Sequence, residues 1–208
     1  SNSINSSEVA AGLYIKGTGE ANATVTLTFT TSSTTLANGN TATVNVIGDW
    51  YIPITSADIS NFGEGSESVT LTQTDVAGNT SSSSSSALVF DVDTVVAGST
   101  FALNTDSAGL SNSDGITNDA IVDVTLAADV ASWQYSTDAG ITWTTGSNTS
   151  FELANDTTYA IGDIQVKQTD DAGNTSTAET NAAQIITDMT VPTVTIENNN
   201  TDETVSDA

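Results

Sequence analysis

Almost every side chain here that could do chemistry is a carboxylate. The 208 residues carry 26 Asp and Glu against two basic side chains, Lys16 and Lys167, for a net charge of −24. Cys, His and Arg are absent. Thiol catalysis and Ser–His triads are therefore excluded, and so is a zinc site of the usual Cys/His kind. Oxygen-donor chemistry remains. Calcium takes roughly six to eight hard oxygens at about 2.3–2.6 Å. Asp91-x-Asp93, and Asp170-Asp171 with Asn174, answer that demand, and Glu20 adds a carboxylate. Asp106 and Asp114, in one long acidic loop, form a second set with Asp188. Ca2+ is the expected cofactor and these nine residues its expected ligands. A paired-carboxylate hydrolase also needs only two acids, but they must flank a cleft. Short repeated sandwiches offer no deep one, so no enzyme is expected. Binding phosphate takes Lys and Arg, so nucleic acid and anionic membranes are excluded as partners.

The acids recur in register. Thr74-Asp75-Val76-Ala77-Gly78-Asn79-Thr80-Ser81 returns 95 residues later as Thr169-Asp170-Asp171-Ala172-Gly173-Asn174-Thr175-Ser176. Asp93 and Asp188 each lie 18 residues beyond the Asp that opens the turn. Such an offset means two copies of one module. Each copy closes with a strand, an Asp-x-Ala-Gly-Asn turn, another strand and an acidic joint. Val69-Thr70-Leu71-Thr72 and Ile164-Gln165-Val166-Lys167 lead into the two turns with the period of half-buried strands. Gly supplies the positive φ of the turn, and Asp and Asn bond their own backbone.

The elements that must position these acids are strands. Thr24-Val25-Thr26-Leu27-Thr28-Phe29 alternates cleanly, Asn38-Gly39 signals a hairpin, and strands are expected over residues 41–47 and 50–54. Residues 56–59 suggest one helical turn over the end of the sandwich. The serines at 81–86 are read as part of an exposed edge strand. The resulting fold class is all-β, tandem β-sandwiches joined end to end, which the resemblance given below makes immunoglobulin-like. The modules are residues 1–93 and 94–188. Residues 189–208 begin a third repeat, opened by Val191-Pro192-Thr193-Val194-Thr195-Ile196, or form a C-terminal tail. The chain reads as a piece of something longer.

Strand direction assigns the acids to poles. The last strand of a module runs toward its C-terminal pole, so the turn before it lies at the N-terminal pole. Asp170, Asp171 and Asn174 should then face Asp91 and Asp93 across the joint. Taking Leu13-Tyr14-Ile15 as the first strand puts Glu20 beside the same joint. The Asp106–Asp114 loop should reach Asp188 at the far pole, and Glu8 with Asp75 should face an upstream neighbour. Trp50, Trp133 and Trp143 sit in strand-like alternation and are read as core rather than as a platform for glycan. Ser136-Thr137-Asp138-Ala139-Gly140-Ile141-Thr142-Trp143 resembles the Asp-box of sialidases, a structural hairpin. A sialidase also needs Arg, so the motif is read as a turn pinned by Asp138 and Gly140.

Taken together, several stretches resemble a known family. Gly17-Thr18-Gly19-Glu20-Ala21-Asn22-Ala23-Thr24-Val25-Thr26, Trp50, Asp75-Val76-Ala77-Gly78-Asn79 and Asp93-Thr94 are similar to one variant of the bacterial immunoglobulin-like tandem repeats. Asp114-Gly115-Ile116-Thr117-Asn118, Trp133 to Trp143 and the second Asp-x-Ala-Gly-Asn turn are similar to its sister variant. Both occur in giant, type I-secreted repeats-in-toxin adhesins. The resemblance covers essentially the whole chain. It implies an extracellular location on the bacterial surface, in a secreted parent tethered to the outer membrane. It also implies calcium-rigidified repeats whose partners are neighbouring repeats of the same chain, and a monomer that does not insert into membranes. The function implied is an extender that projects a distal binding region for cell adhesion or biofilm formation. The alternative is a recognition module that binds glycan or protein directly. One departure stands out. The family's joint carries a Pro where this chain has Asp93-Thr94-Val95-Val96.

Overall fold

A computed structural model describes residues 2–32, 34–82, 87–107, 111 and 113–196. The chain forms two β-sandwiches in succession, each around its own core. In chain order the first holds β1 (Ser3–Ile4), α1 (Ser6–Ala11), β2 (Leu13–Thr18), β3 (Thr24–Phe29), β4 (Thr41–Thr43), β5 (Asp49–Ile54), α2 (Ser56–Phe62), β6 (Gly65–Thr74), β7 (Thr80–Ser82) and β8 (Leu88–Val92). One sheet is ordered β1-β8-β6-β3-β4, with β7 also on β6, and the ribbon β2-β5 faces it. Alternation decides which side chains meet between them. Val25, Leu27 and Phe29 on β3 and Trp50, Ile52 and Ile54 on β5 are buried, and the residues between them on β5 stay outside. Burying each such side chain stabilises by about 1.5–3 kcal/mol. Phe62 of α2 closes the core against Phe29 and Phe90.

The second sandwich holds β9 (Thr100–Leu103), β10 (Ile116–Thr117), β11 (Ile121–Thr125), β12 (Val130–Ser136), β13 (Thr144–Thr145), β14 (Ser150–Glu152), β15 (Thr158–Tyr159), β16 (Gln165–Asp170), β17 (Glu179–Thr180) and β18 (Ile185–Thr187). Its sheets are ordered β14-β11-β9, β13-β12-β16-β17 and β10-β18-β15. Trp133, Phe151, Ile164 and Val166 fill the middle. Two buried amides hold the backbone where strands end. Gln168 accepts from Ala127 N–H and donates to the Ala97 carbonyl. The Asn181 carboxamide oxygen takes the N–H groups of Gly162 and Ile164.

Several features depart from the strand plan read in the sequence, among them β4, which stops at Thr43 short of the expected residue 47. Leu13-Tyr14-Ile15 does not open the module: β1 precedes it and adds parallel to β8, pairing Ser3 with Asp91 and Ile4 with Val92. The chain then turns through α1 at the C-terminal pole before β2 sets out. Asn5 and Glu8 form a capping box on α1, and that Asn-x-x-Glu spacing was a readable helix start. The expected helical turn at residues 56–59 extends to Phe62 as α2, with a capping box of its own from Thr55 and Asp58. Of the serine run, Ser81 and Ser82 lie in β7 and residues 83–86 fall outside the described residues. Residues 191–196 carry no strand, and Val191, Val194 and Ile196 are almost wholly exposed. The remainder of the proposed third repeat lies outside the described residues.

Candidate metal centre at the junction

Where the two sandwiches meet, three elements aim carboxylates at one point. Asp93 follows β8, Asp129 lies in the loop before β12, and Asp170 ends β16. One carboxylate oxygen from each lies within 4.8 Å of the other two. Two ligands of one calcium, each at about 2.3–2.6 Å, stand no more than about 5 Å apart. The donor set is hard oxygen only, and the three residues come from both modules. It fits calcium.

The scaffold around this point is built from hydrogen bonds. In the turn after β16, Asp170 Oδ1 accepts from Gly173 N–H (2.7 Å) and Asn174 N–H (2.8 Å), and Oδ2 accepts from the Asn174 carboxamide (2.9 Å). Gly173, at φ 98°, provides the left-handed step. The same Asn174 reaches across the junction. Its Nδ2 donates to the Asp93 carbonyl (2.7 Å), and its Oδ1 accepts from Ser6 N–H at the start of α1 (2.9 Å). Asn5 Nδ2 donates to the Ala172 carbonyl (2.9 Å). Asp171 N–H donates to the Asp129 carbonyl (3.0 Å), tying the two acidic loops of the second module together. On the first module, Glu64 grips the residue after Asp93: its carboxylate accepts from Thr94 N–H (2.8 Å) and Thr94 Oγ1 (2.5 Å).

The electrostatics follow from this crowding. Burial, then the charges of Asp170, Glu64, Asp129 and Asp171, hold the Asp93 carboxyl above its ordinary value. Burial pushes Asp170 in the same direction, but hydrogen bonds from Asn174, Gly173 and Ala172 outweigh it and leave Asp170 below the ordinary value. Two like charges 4 Å apart repel by about 4 kcal/mol at an effective dielectric of 20. Water around exposed Asp129 screens that figure downward. A divalent cation at the shared point turns the repulsion into attraction.

Each residue singled out in the sequence has a definite place. Asp93 and Asp170 come together. Asp171 stands beside them, exposed, and contributes to the field at Asp93. Asp91 lies two residues back, exposed, on the stretch of β8 that pairs with Ser3 and Ser66. Asn174 is at the junction, with its oxygen already committed to Ser6.

Glu20 is at the wrong pole for the role expected of it. Its N–H donates to the Gln73 side chain (3.2 Å), next to the Asp75 turn at the N-terminal pole of the first module. The cause is strand parity. Because β1 and α1 carry the chain to the junction first, β2 runs away from it and the turn after β2 falls at the opposite end. For the same reason Glu8 sits on α1 at the junction and does not meet Asp75.

Asp106 and Asp114 do not join Asp188 either. The loop between β9 and β10 folds back, with Asp106 Oδ2 accepting from Gly115 N–H and Asp114 Oδ1 from Ile116 N–H. Both acids therefore lie where β10 begins. Since β10 and β18 are parallel, Asp188 lies past the other end, accepting from Thr190 N–H.

Asp129 was missed. It is a single acid in a loop, and position 34, its counterpart 95 residues earlier, is Thr, so the repeat gave no signal. The Asp-box hairpin is a brace: Asp138 accepts from Ser136 Oγ, Thr142 N–H and Thr142 Oγ1. Hydrogen bonds from the Thr142 side chain and backbone, then Ser136, lower its pKa to about 2.

No protein-family model matches the sequence, and no curated protein does. Among solved structures, the chain is similar to a Ca2+-stabilized adhesin that helps an Antarctic bacterium reach out and bind ice. That match has 24% identity and a TM-score of 0.48, and covers 89% of this chain and 46% of the other. It is also similar to part of a 1.5-MDa bacterial ice-binding adhesin, at 19% identity and a TM-score of 0.48, covering 89% of this chain and 61% of the other. The fibronectin(III)-like modules of Clostridium thermocellum CbhA align at 16% identity and a TM-score of 0.36, over 90% of this chain and 91% of theirs. The chain thus spans roughly half to three-fifths of the two adhesin structures. No helix among the described residues is long and apolar enough to cross a membrane.

Proposed function

We propose that this chain is a calcium-stiffened extender segment of a large bacterial surface adhesin. The observation that carries the reading is the junction itself, where carboxylates of Asp93, Asp129 and Asp170 converge within 4.8 Å from two separate sandwiches. Asp91 and Asp171 are close enough in sequence to complete the shell directly or through water. The modules are residues 1–93 and 94–188, and residues 189–208 begin a further repeat or form a C-terminal tail. The segment acts by geometry, with no catalytic step. Its parent is secreted, tethered at the outer membrane, and projects a distal binding region for cell adhesion or biofilm formation. The segment itself is a monomer whose partners are neighbouring repeats.

The mechanism rests on charge and on attachment. Without a cation, repulsion at Asp93 opposes the bonds that Asn174 makes to Asp93 and Ser6. With calcium, both modules share one fixed point, which supplies the stiffness that a Pro at the joint would otherwise give.

Small-angle scattering of the chain in calcium and in chelator tests this. A rod is expected in calcium, and in chelator a hinged pair of folded modules with a shorter average dimension. Identical scattering profiles in the two conditions would remove the extender mechanism.

A further inference from the structure

The ribbon β2-β5 turns one face to the core and the other to water. On the outer face the register sets Tyr14 across from Pro53, Lys16 across from Tyr51, and Thr18 across from Asp49. Tyr14 is 57% exposed and Tyr51 69%. Their rings stand edge to face, 6.3 Å apart. They border an open cleft of about 650 Å3 with Lys16, Thr18 and Asp49 at its sides and Trp50 behind. That volume lies within the range of small-molecule sites, about 300–1,000 Å3. Among the described residues these two tyrosines are the only strongly exposed aromatics.

The second sandwich treats its aromatics differently. Tyr135, half-buried, stacks on Phe151 of the core at 4.2 Å. The face of Trp143 is covered by Lys167, whose Nζ lies 3.8 Å from the ring centroid. Lys16 sits 5.6 Å from the Tyr14 centroid and leaves Tyr51 bare. Among the described residues, Lys16 Nζ, the Asp49 carboxylate, Thr18 Oγ1 and both phenol hydroxyls have no hydrogen-bond partner in the protein.

Apolar ring faces beside donors and an acceptor complement one ligand class in particular, a pyranose, which has a C–H face and a rim of hydroxyls. An apolar peptide would bury Lys16 and Asp49 without partners, at a desolvation cost. An anion would meet Asp49 in the cleft and the field of a chain with net charge −24. We propose that the outer face of β2-β5 binds a neutral pyranose saccharide, its ring lying against Tyr51 and Tyr14 and its hydroxyls bonded to Lys16 and Asp49. The site lies on the flank of the first sandwich, so it stays open when modules stack pole to pole, and it needs no calcium.

The test is titration of the whole chain with the methyl glycosides of glucose, galactose and mannose, and with glucuronate, followed by saturation-transfer NMR in calcium and in chelator. Expected is weak binding of at least one neutral glycoside, equal in both media, with glucuronate about tenfold weaker. Tyr51→Ala should weaken binding about tenfold or more at an unchanged melting temperature, and Tyr51→Phe should keep most of it. Asp49→Asn gives an independent reading if Tyr51→Ala disturbs the fold, and should also weaken binding. Failure of every neutral glycoside to bind would overturn the proposal. So would preference for glucuronate, binding that needs calcium, or binding indifferent to both Tyr51→Ala and Asp49→Asn.

Discussion

The turns Asp75-Val76-Ala77-Gly78-Asn79 and Asp170-Asp171-Ala172-Gly173-Asn174 share a backbone and a bonding scheme, and they differ in what stands against them. In both, the Asp carboxylate takes the Asn backbone N–H (2.8 Å in each) and the Asn carboxamide (2.7 and 2.9 Å). Both use Gly at a φ near 90°, 90° and 98° respectively. In both, the flanking Thr hydroxyls meet, at 3.1 and 2.9 Å. Yet the first turn lies open at a pole, with Val76 83% exposed, whereas Asp170 and Asn174 are buried against the first module. The fold of the turn is local. Its role as a joint is conferred by α1, Asp93 and Asp129, which have no equivalents against the first copy among the described residues. Disturbing the two turns should therefore have unequal consequences.

The largest effect belongs to the cation. At a hundredfold excess over its Kd, calcium at one site should stabilise by about 3 kcal/mol. Chelation should lower the melting temperature by that equivalent and leave both sandwiches folded, because each has its own core. Calorimetry with and without chelator checks it. Wholly unfolded protein in chelator at room temperature would contradict the reading of the cores.

Asp170→Ala comes next. It removes a buried carboxylate with several bonds to N–H groups, a loss on the order of 2 kcal/mol, and should also abolish calcium binding at the junction. Asp75→Ala breaks the same local bonds in water and should cost clearly less. Urea melts of the two variants decide it, and equal losses would break the comparison. Asn174→Ala against Asn79→Ala refines it. Only Asn174 bonds to Ser6 and Asp93, so its loss should cost about 1 kcal/mol more and widen the scattering envelope in chelator.

The smallest effects are those of pH. The Asp93 carboxyl is raised, so its favourable contribution is full below the ordinary value of 3.8 and is lost as pH rises through the folded value. In chelator, therefore, the junction should tighten as pH falls from 7 toward 4, a trend readable by scattering and absent from Asp93→Asn. Asp138 shows the opposite sign. Its pKa is lowered to about 2, so its contribution is present above 3.8 and lost as pH falls through about 2. The Thr142 amide resonance should titrate in that lower window.

The sequence alone carried the repeat, the sandwich class and the oxygen-only chemistry, because each of these is written in local pattern. Alternation of Val25, Leu27 and Phe29 specifies a half-buried strand wherever it lies. Asp-x-Ala-Gly-Asn closes on itself through bonds spanning four residues. The absence of Cys and His needs no structure at all. Tertiary structure decided which acids meet. Glu20 went to the far pole because β1, two residues long and paired in parallel with β8, changed the direction of every strand up to the next turn. Asp114 and Asp188 were kept apart by the parallel pairing of β10 with β18. Asp129 joined Asp93 and Asp170 from a loop with no periodicity and no repeat partner. Convergence of charge is a long-range property. It depends on strand direction and register across contacts tens of residues apart, and a single short strand is enough to move a carboxylate from one end of a module to the other.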